Sequence, residues 1–308
     1  MNPAWSVILF TTAAGMAQGT VVVVAMLGLM RLLPGSSIVF YLHVSLVLLL
    51  FALGASFFHL GRPARAWRAV LMWRTSWLSR EVIVLPMFIA AVAVWIALVY
   101  QTPDQTPATW MLLCIALAAL LWWCTAMIYA CLRFIQEWAH WLTVAGFTLI
   151  GLASGLLLVA ALMAAHHELE WAQTLGPWVL RALLLAGGVR ALALRRNARL
   201  KPKSTLQSAT GIKAKVLKQT SMGMSAGAFN TREFFHGRNA TVVRHVKHAG
   251  LMLGFVLPFV LVLWALRLDS PALWVLALLL HTLGLMADRW FFFAQARHPQ
   301  NLYYQVVS

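Results

Sequence analysis

Apolar residues fall in long unbroken runs along this chain, separated by short polar stretches rich in turn formers. A run of roughly twenty apolar residues, wound as an α-helix, matches the thickness of a bilayer's hydrocarbon core. Such runs lie near residues 6–30, 38–60, 81–100, 110–132, 141–165, 174–194, 248–267 and 271–290, which predicts eight transmembrane helices. The breaks carry turn chemistry: Pro34 with Gly35, Arg62 with Pro63, Pro103 and Pro107, Gly176 with Pro177, and Ser270 with Pro271. The expected fold is all-α, a bundle of eight spans forming a single membrane domain over residues 1–308. The first run has neither a basic n-region nor a small-residue cleavage site, so it is expected to be a retained span.

Composition agrees. The chain is 62% hydrophobic and 10% charged, with a mean hydropathy of +0.79, which excludes an ordinary soluble domain. A net charge of +16 raises the question of nucleic acid. The basic residues, however, sit in the gaps between apolar runs, as expected for loops facing anionic lipid, so no nucleic-acid partner is expected.

Charge also predicts orientation. An even number of spans places both termini on one side. The connections 61–80, 133–140 and 195–247, the C-terminal tail and nearby Arg190 and Arg289 hold 21 of the 24 Lys and Arg, leaving Arg31, Arg181 and Arg267. The positive-inside rule therefore puts both termini and the long basic loops in the cytoplasm. The opposite face carries Asp104, Glu168, Glu170 and Asp269. The loop from Arg195 to Lys247 has twelve basic residues against one acid, Glu233, and places Phe229, Phe234 and Phe235 beside Gly-rich turns. It reads as a surface ordered by a partner, the alternative being a disordered segment on lipid.

Chemistry is concentrated in FFHLGRPARAWRAVLMWRTSWLSRE, from Phe57 to Glu81. A His closes one apolar run, five arginines follow without an acid, and a Glu opens the next run. Ionisable groups at a hydrocarbon boundary are costly and tend to be functional. His59 can exchange a proton near neutral pH and hydrogen-bond a carbonyl oxygen, as a quinone headgroup requires. Glu81, expected in the first turn of its span beside Arg80 and Arg74, is the second candidate, with His59 as hydrogen-bond partner and Glu81 as proton conduit. A structural ion pair is the plainer reading of Glu81. Cys114, Cys124 and Cys131 share one apolar run without a CxxC pair, so no metal site is expected from them.

Elsewhere the ionisable residues read as structural. His43, His281, His140 and His248 do not pair by depth in a way that demands a haem, although His140 with His248 leaves that option open. Asp288 and Arg289 are adjacent and point about 100° apart, so each is expected to pair across helices. Arg181 is expected to snorkel or to meet Glu170 or Asp269. A transporter would show midplane polar chains, broken helices or an internal repeat, and none is evident. Gly15, Gly19, Gly146, Gly151 and Gly155, the last two a GxxxG pair, read as close-packing positions.

The segments FHLGRPARAW, SWLSREV and DRWFFFAQARHPQNLYYQ resemble the DmsC family of membrane anchors, and WRTSWLSRE and ARHPQNLYY are most similar to the anchors of the cytoplasmic sulfite-oxidising enzyme. The resemblance implies an anchor holding a molybdopterin catalytic subunit and an iron-sulfur subunit on the cytoplasmic face of the inner membrane. It implies a site for ubiquinone or menaquinone at His59 and Glu81, with Arg62 and Arg65 as its polar rim. Molybdopterin and iron-sulfur clusters belong to the partners, and no haem is expected. Such a chain is not catalytic alone but is the quinone-reactive subunit of an oxidoreductase. Sulfite oxidation delivering electrons to quinone is the favoured direction. The alternatives are a DMSO-reductase-type complex oxidising menaquinol, and a structural anchor without quinone chemistry.

Overall fold

The computed structural model describes residues 1–58, 60–102, 106–221 and 228–305. All eight expected spans form: α1 (Trp5–Leu29), α2 (Gly35–Phe57), α3 (Trp77–Gln101), α4 (Ala108–Ala130), α5 (Trp141–Ala165), α6 (Leu169–Asn197), α7 (Ala240–Leu268) and α8 (Pro271–Ala294). Even the shorter ones, such as α4 with 23 residues, reach about 35 Å at 1.5 Å per residue, enough to cross the apolar core.

Three boundaries differ from the expectation, each for a local reason. Helix α3 starts four residues early because the Ser76 hydroxyl caps it, accepting from the backbone N–H of Ser79 at 3.3 Å. Helix α6 runs through Gly176 and Pro177, which lie inside it and not at its start. Helix α7 begins at Ala240, where a basic, amphipathic lead-in to Leu251 precedes the apolar part. A π-turn over Met252–Val256 joins the two parts of that helix. Pro258 has no N–H to give the Gly254 carbonyl four residues earlier, and the His281 Nδ1 of α8 meets that carbonyl at 2.5 Å. His281 Nε2 lies 2.9 Å from the Ser154 hydroxyl of α5. Both ring nitrogens of this fully buried His are thus engaged in helix packing.

The helices form two four-helix units of matching order. In the first, α1 packs on α2, α2 on α3, α3 on α4 and α4 on α1; in the second, α5, α6, α7 and α8 close the same ring. This repeat lies in the topology and left no trace obvious in the chain's residues. The units meet through α1 and α5, the most enclosed spans, and α4 and α8 complete the seam. Glycine permits that approach. A Cβ on Gly19 would overlap the Gly151 carbonyl, and one on Gly155 would overlap the backbone of Gly19. Backbones in such contact gain dispersion energy that a lipid-exposed apolar face cannot supply.

Met1 and the described tail lie over the same end of the bundle, called the terminal face below, the Met1 amine donating to the carbonyls of Ala294 at 3.4 Å and Ala296 at 3.1 Å. There the connection after α6 contributes short helices at Leu206–Thr210 and Phe229–Glu233, and the tail contributes another at Pro299–Tyr303. The Asn230 side chain donates to Asn301 Oδ1 at 2.8 Å, and Asn301 Nδ2 donates to the Phe234 carbonyl at 3.1 Å. Gln305 bonds the backbone of Gln219 and of Leu217, while the Asn2 N–H donates to the Glu233 carbonyl at 2.6 Å. The basic connection is therefore tied to the tail and to the N-terminal residues within the chain itself.

Candidate functional site

His59, the first of the candidates, lies outside the described residues. Helix α2 ends at Phe57, and after a bend at Gly61 and Arg62 the chain restarts as a 3₁₀-helix over Pro63–Met72 before Ser76 opens α3. This is the turn and restart that a proline demands. Arg62 and Arg65 are exposed on this surface segment, the Arg65 N–H bonding the Arg62 carbonyl at 3.0 Å. Apolar side chains around them are also exposed, Trp67, Leu71, Met72 and Trp73 among them. An exposed strip that alternates arginine with large apolar groups suits the headgroup boundary, where guanidinium and aromatic rings both find partners.

Glu81 is buried, at 5% exposure. Because α3 opens at Trp77, Glu81 stands in the second turn and not in the first, so the unsatisfied N–H groups of the helix start do not reach it. Nor does Arg80 serve as its counter-charge. The Arg80 guanidinium donates to the carbonyls of Trp73 at 2.9 Å and Arg74 at 2.8 Å, and stacks over the Trp77 ring at 4.0 Å. Glu81 instead accepts a hydrogen bond from the Thr125 hydroxyl of α4. A hydroxyl can donate to a carboxylate or accept from a carboxylic acid, so this contact is compatible with either protonation state. Thr125 was not singled out in the chain; its only signal there is one hydroxyl in the apolar run WWCTAM.

A second buried polar cluster lies in the other unit. Arg190 of α6 pairs with Asp288 of α8 at 2.5 Å, both side chains almost fully enclosed. Arg289 stands over the Phe147 ring of α5 at 3.9 Å. Asp288 and Arg289 thus turn to different helices, as their 100° separation requires. A cavity of about 20 Å³, room for a single water, adjoins this cluster and also touches Glu137 and Asn197. The Tyr129 ring of α4 sits among Trp138, Phe147, Phe292 and Phe293. Arg181, by contrast, lies over the Trp178 ring at 4.9 Å, and Asp269 is taken by Gln173.

A cavity of about 410 Å³ opens on the terminal face. Its walls come from four segments: the α4–α5 connection, the start of the connection after α6, Phe234 near the end of that connection, and the tail. Neither cavity is lined by Glu81, Arg62 or Arg65. Among the described residues no group of His, Cys, Asp and Glu has the arrangement of a metal site. His140 caps α5, accepting from the Leu142 N–H at 3.2 Å. His248 lies 2.9 Å from the Arg244 carbonyl on an exposed helical turn.

A model of the DMSO reductase anchor subunit family (DmsC) matches residues 1–295. The chain belongs to the DmsC family. Among its relatives, a subunit of the sulfite dehydrogenase of Allochromatium vinosum is 43% identical over the full length of both chains. The anaerobic dimethyl sulfoxide reductase chain YnfH of Escherichia coli is 30% identical over 36% of this chain and 39% of its own. The chain is therefore a multi-pass membrane anchor subunit, and its DmsC relatives are named as parts of sulfite dehydrogenase and dimethyl sulfoxide reductase complexes.

Proposed function

We propose that this DmsC-family anchor exchanges electrons and protons with membrane quinone, using His59 and Glu81, on behalf of a molybdopterin and iron-sulfur enzyme that oxidises sulfite in the cytoplasm. The observation that carries the reading is Glu81: a carboxylate buried one to two turns inside a membrane span, hydrogen-bonded to a hydroxyl and with its neighbouring arginine turned away. Structural carboxylates in hydrocarbon are expected to hold a cation; one that does not is suited to carrying a proton. A carboxylate and a hydroxyl at this depth also form a donor and acceptor set that fits a quinone headgroup, which would supply the two-electron, two-proton couple when bound. The Glu81 carboxyl then holds the exchangeable proton, Thr125 orients it, and the Arg62–Arg65 strip marks the headgroup level.

Several observations support the sulfite assignment and its sidedness. Likeness to a sulfite dehydrogenase component runs through both chains end to end, whereas likeness to a dimethyl sulfoxide reductase chain covers about a third. The terminal face bears most of the basic residues, which by the positive-inside rule faces the cytoplasm of an inner membrane. The described parts of the connection 195–247 and of the tail lie on that face and form the surface on which soluble partners would sit.

The test separates chemistry from assembly. In the purified complex, His59→Ala and Glu81→Gln should each lower sulfite-dependent quinone reduction at least tenfold while sulfite oxidation with an artificial dye stays within twofold of wild type. Equal loss of both activities would assign these residues to assembly of the complex instead. Quinone reduction persisting in both variants would place the site elsewhere.

A further inference from the structure

The terminal-face cavity is a built site for which the quinone reading has no use. Arg133, Lys201, Lys203 and Arg297 stand around it exposed, and His298 forms part of its wall. The one salt bridge found among the described residues is Arg190–Asp288, so none of these four cations forms a salt bridge with a described acid, although Arg297 is near enough to Glu137 to act on its charge. Glu137 is the single acid in the lining. Burial pushes its pKa above the ordinary value, and the positive charges of Arg297 and the chain's N-terminus act in the opposite sense.

The walls are held before any ligand arrives. Arg196 donates to the Gln136 carbonyl at 3.0 Å and Asn197 to the Glu137 carbonyl at 3.2 Å, fastening the α4–α5 connection to the end of α6. The Asn230–Asn301–Phe234 bonds described above fasten the basic connection to the tail. Phe134 and Phe234 stand on His298 with ring centroids 5.4 and 5.0 Å away, adding an apolar wall to a cationic rim. Rigid walls lower the ordering cost of binding, and about 410 Å³ suits a few side chains and not a whole helix. Every wall lies beyond the end of its transmembrane helix, so the cavity belongs to the layer above the bundle, where a peripheral protein would sit.

We propose that this cavity is the socket for a short acidic segment of the soluble partner protein, its carboxylates meeting Arg133, Lys201, Lys203 and Arg297 and an apolar side chain resting between Phe134 and Phe234. The proposal rests on the reading of this chain as an anchor and is independent of quinone chemistry. It places a specific anchoring contact in a surface that charge alone would leave diffuse. Anionic phospholipid headgroup is the competing occupant of the same chemistry.

The test uses the intact complex. A photo-crosslinking benzoylphenylalanine in place of the exposed Phe134 should give an adduct with a co-expressed partner protein, its crosslinked peptide identified by mass spectrometry as acidic. An adduct with phospholipid alone, or with a neutral or basic peptide, would overturn the proposal. In parallel, Lys201→Glu with Lys203→Glu should release at least nine-tenths of the partner's dye-linked activity from washed membranes, while Lys201→Arg with Lys203→Arg retains it. Retention by the charge-reversed variant, present in the membrane at wild-type amount, would overturn the socket. If the reversed variant does not accumulate in the membrane, the crosslinking result decides.

Discussion

In the first four-helix unit a buried carboxylate, Glu81, takes a hydroxyl from the next helix; in the second, Asp288, at comparable depth, takes a guanidinium from α6. Both stand within two turns of the terminal face, in units with the same helix order. The difference is in what neutralises them. A carboxylate in contact with a buried guanidinium is held as an ion, because removing either partner strands the other charge in a low-dielectric interior. A carboxylate held by a hydroxyl is not committed in that way, since the hydroxyl serves both protonation states. The same architecture thus carries one acid as a fixed strut and offers the other for proton exchange.

Perturbing the seam and the two acids should break or sharpen this contrast, beginning with the largest effect. Gly155→Leu forces apart α1 and α5, against which both units are built, and should prevent accumulation of folded chain, read by detergent-resistant gel-filtration recovery; Gly146→Ala, where an added Cβ meets nothing within 4 Å, should leave recovery unchanged. Asp288→Ala strands Arg190 beside Arg289 and should cost about 3–5 kcal/mol in thermal or denaturant unfolding in micelles, with a large part restored by adding Arg190→Leu. Glu81→Gln keeps a polar partner for Thr125 and should cost less than about 1.5 kcal/mol in the same assay. Equal destabilisation by the two acid variants would erase the distinction between strut and proton carrier. Thr125→Val removes the hydroxyl and should cost about 1–3 kcal/mol while shifting the pH profile of quinone reduction, with Thr125→Ser restoring both.

Legibility along the chain divides by physical cause. The spans were readable because crossing hydrocarbon demands uninterrupted apolar helix, a constraint written residue by residue. Cross-helix partnering of Asp288 and Arg289 was readable from helical geometry, though not that Arg190 would supply one partner and Phe147 the other. For Glu81, the expectation of support from Arg80 or Arg74 failed because the cap at Ser76 starts the helix earlier, moving Glu81 deeper and rotating Arg80 toward the preceding turn. Thr125 was silent because a single hydroxyl in an apolar run satisfies itself against its own helix as readily as it serves a neighbour.

By itself, then, the amino-acid order determined that this is an eight-span helical membrane protein with its cations gathered at one end, because transfer energies act on each residue separately and add along the run. Only the tertiary structure decided that α1 and α5 form the seam of two like units, that Glu81 meets a hydroxyl while Asp288 meets a guanidinium, and that four distant segments enclose a basic cavity. Those outcomes depend on which helix faces which, and pairwise contacts between positions far apart in the chain leave no periodicity to read.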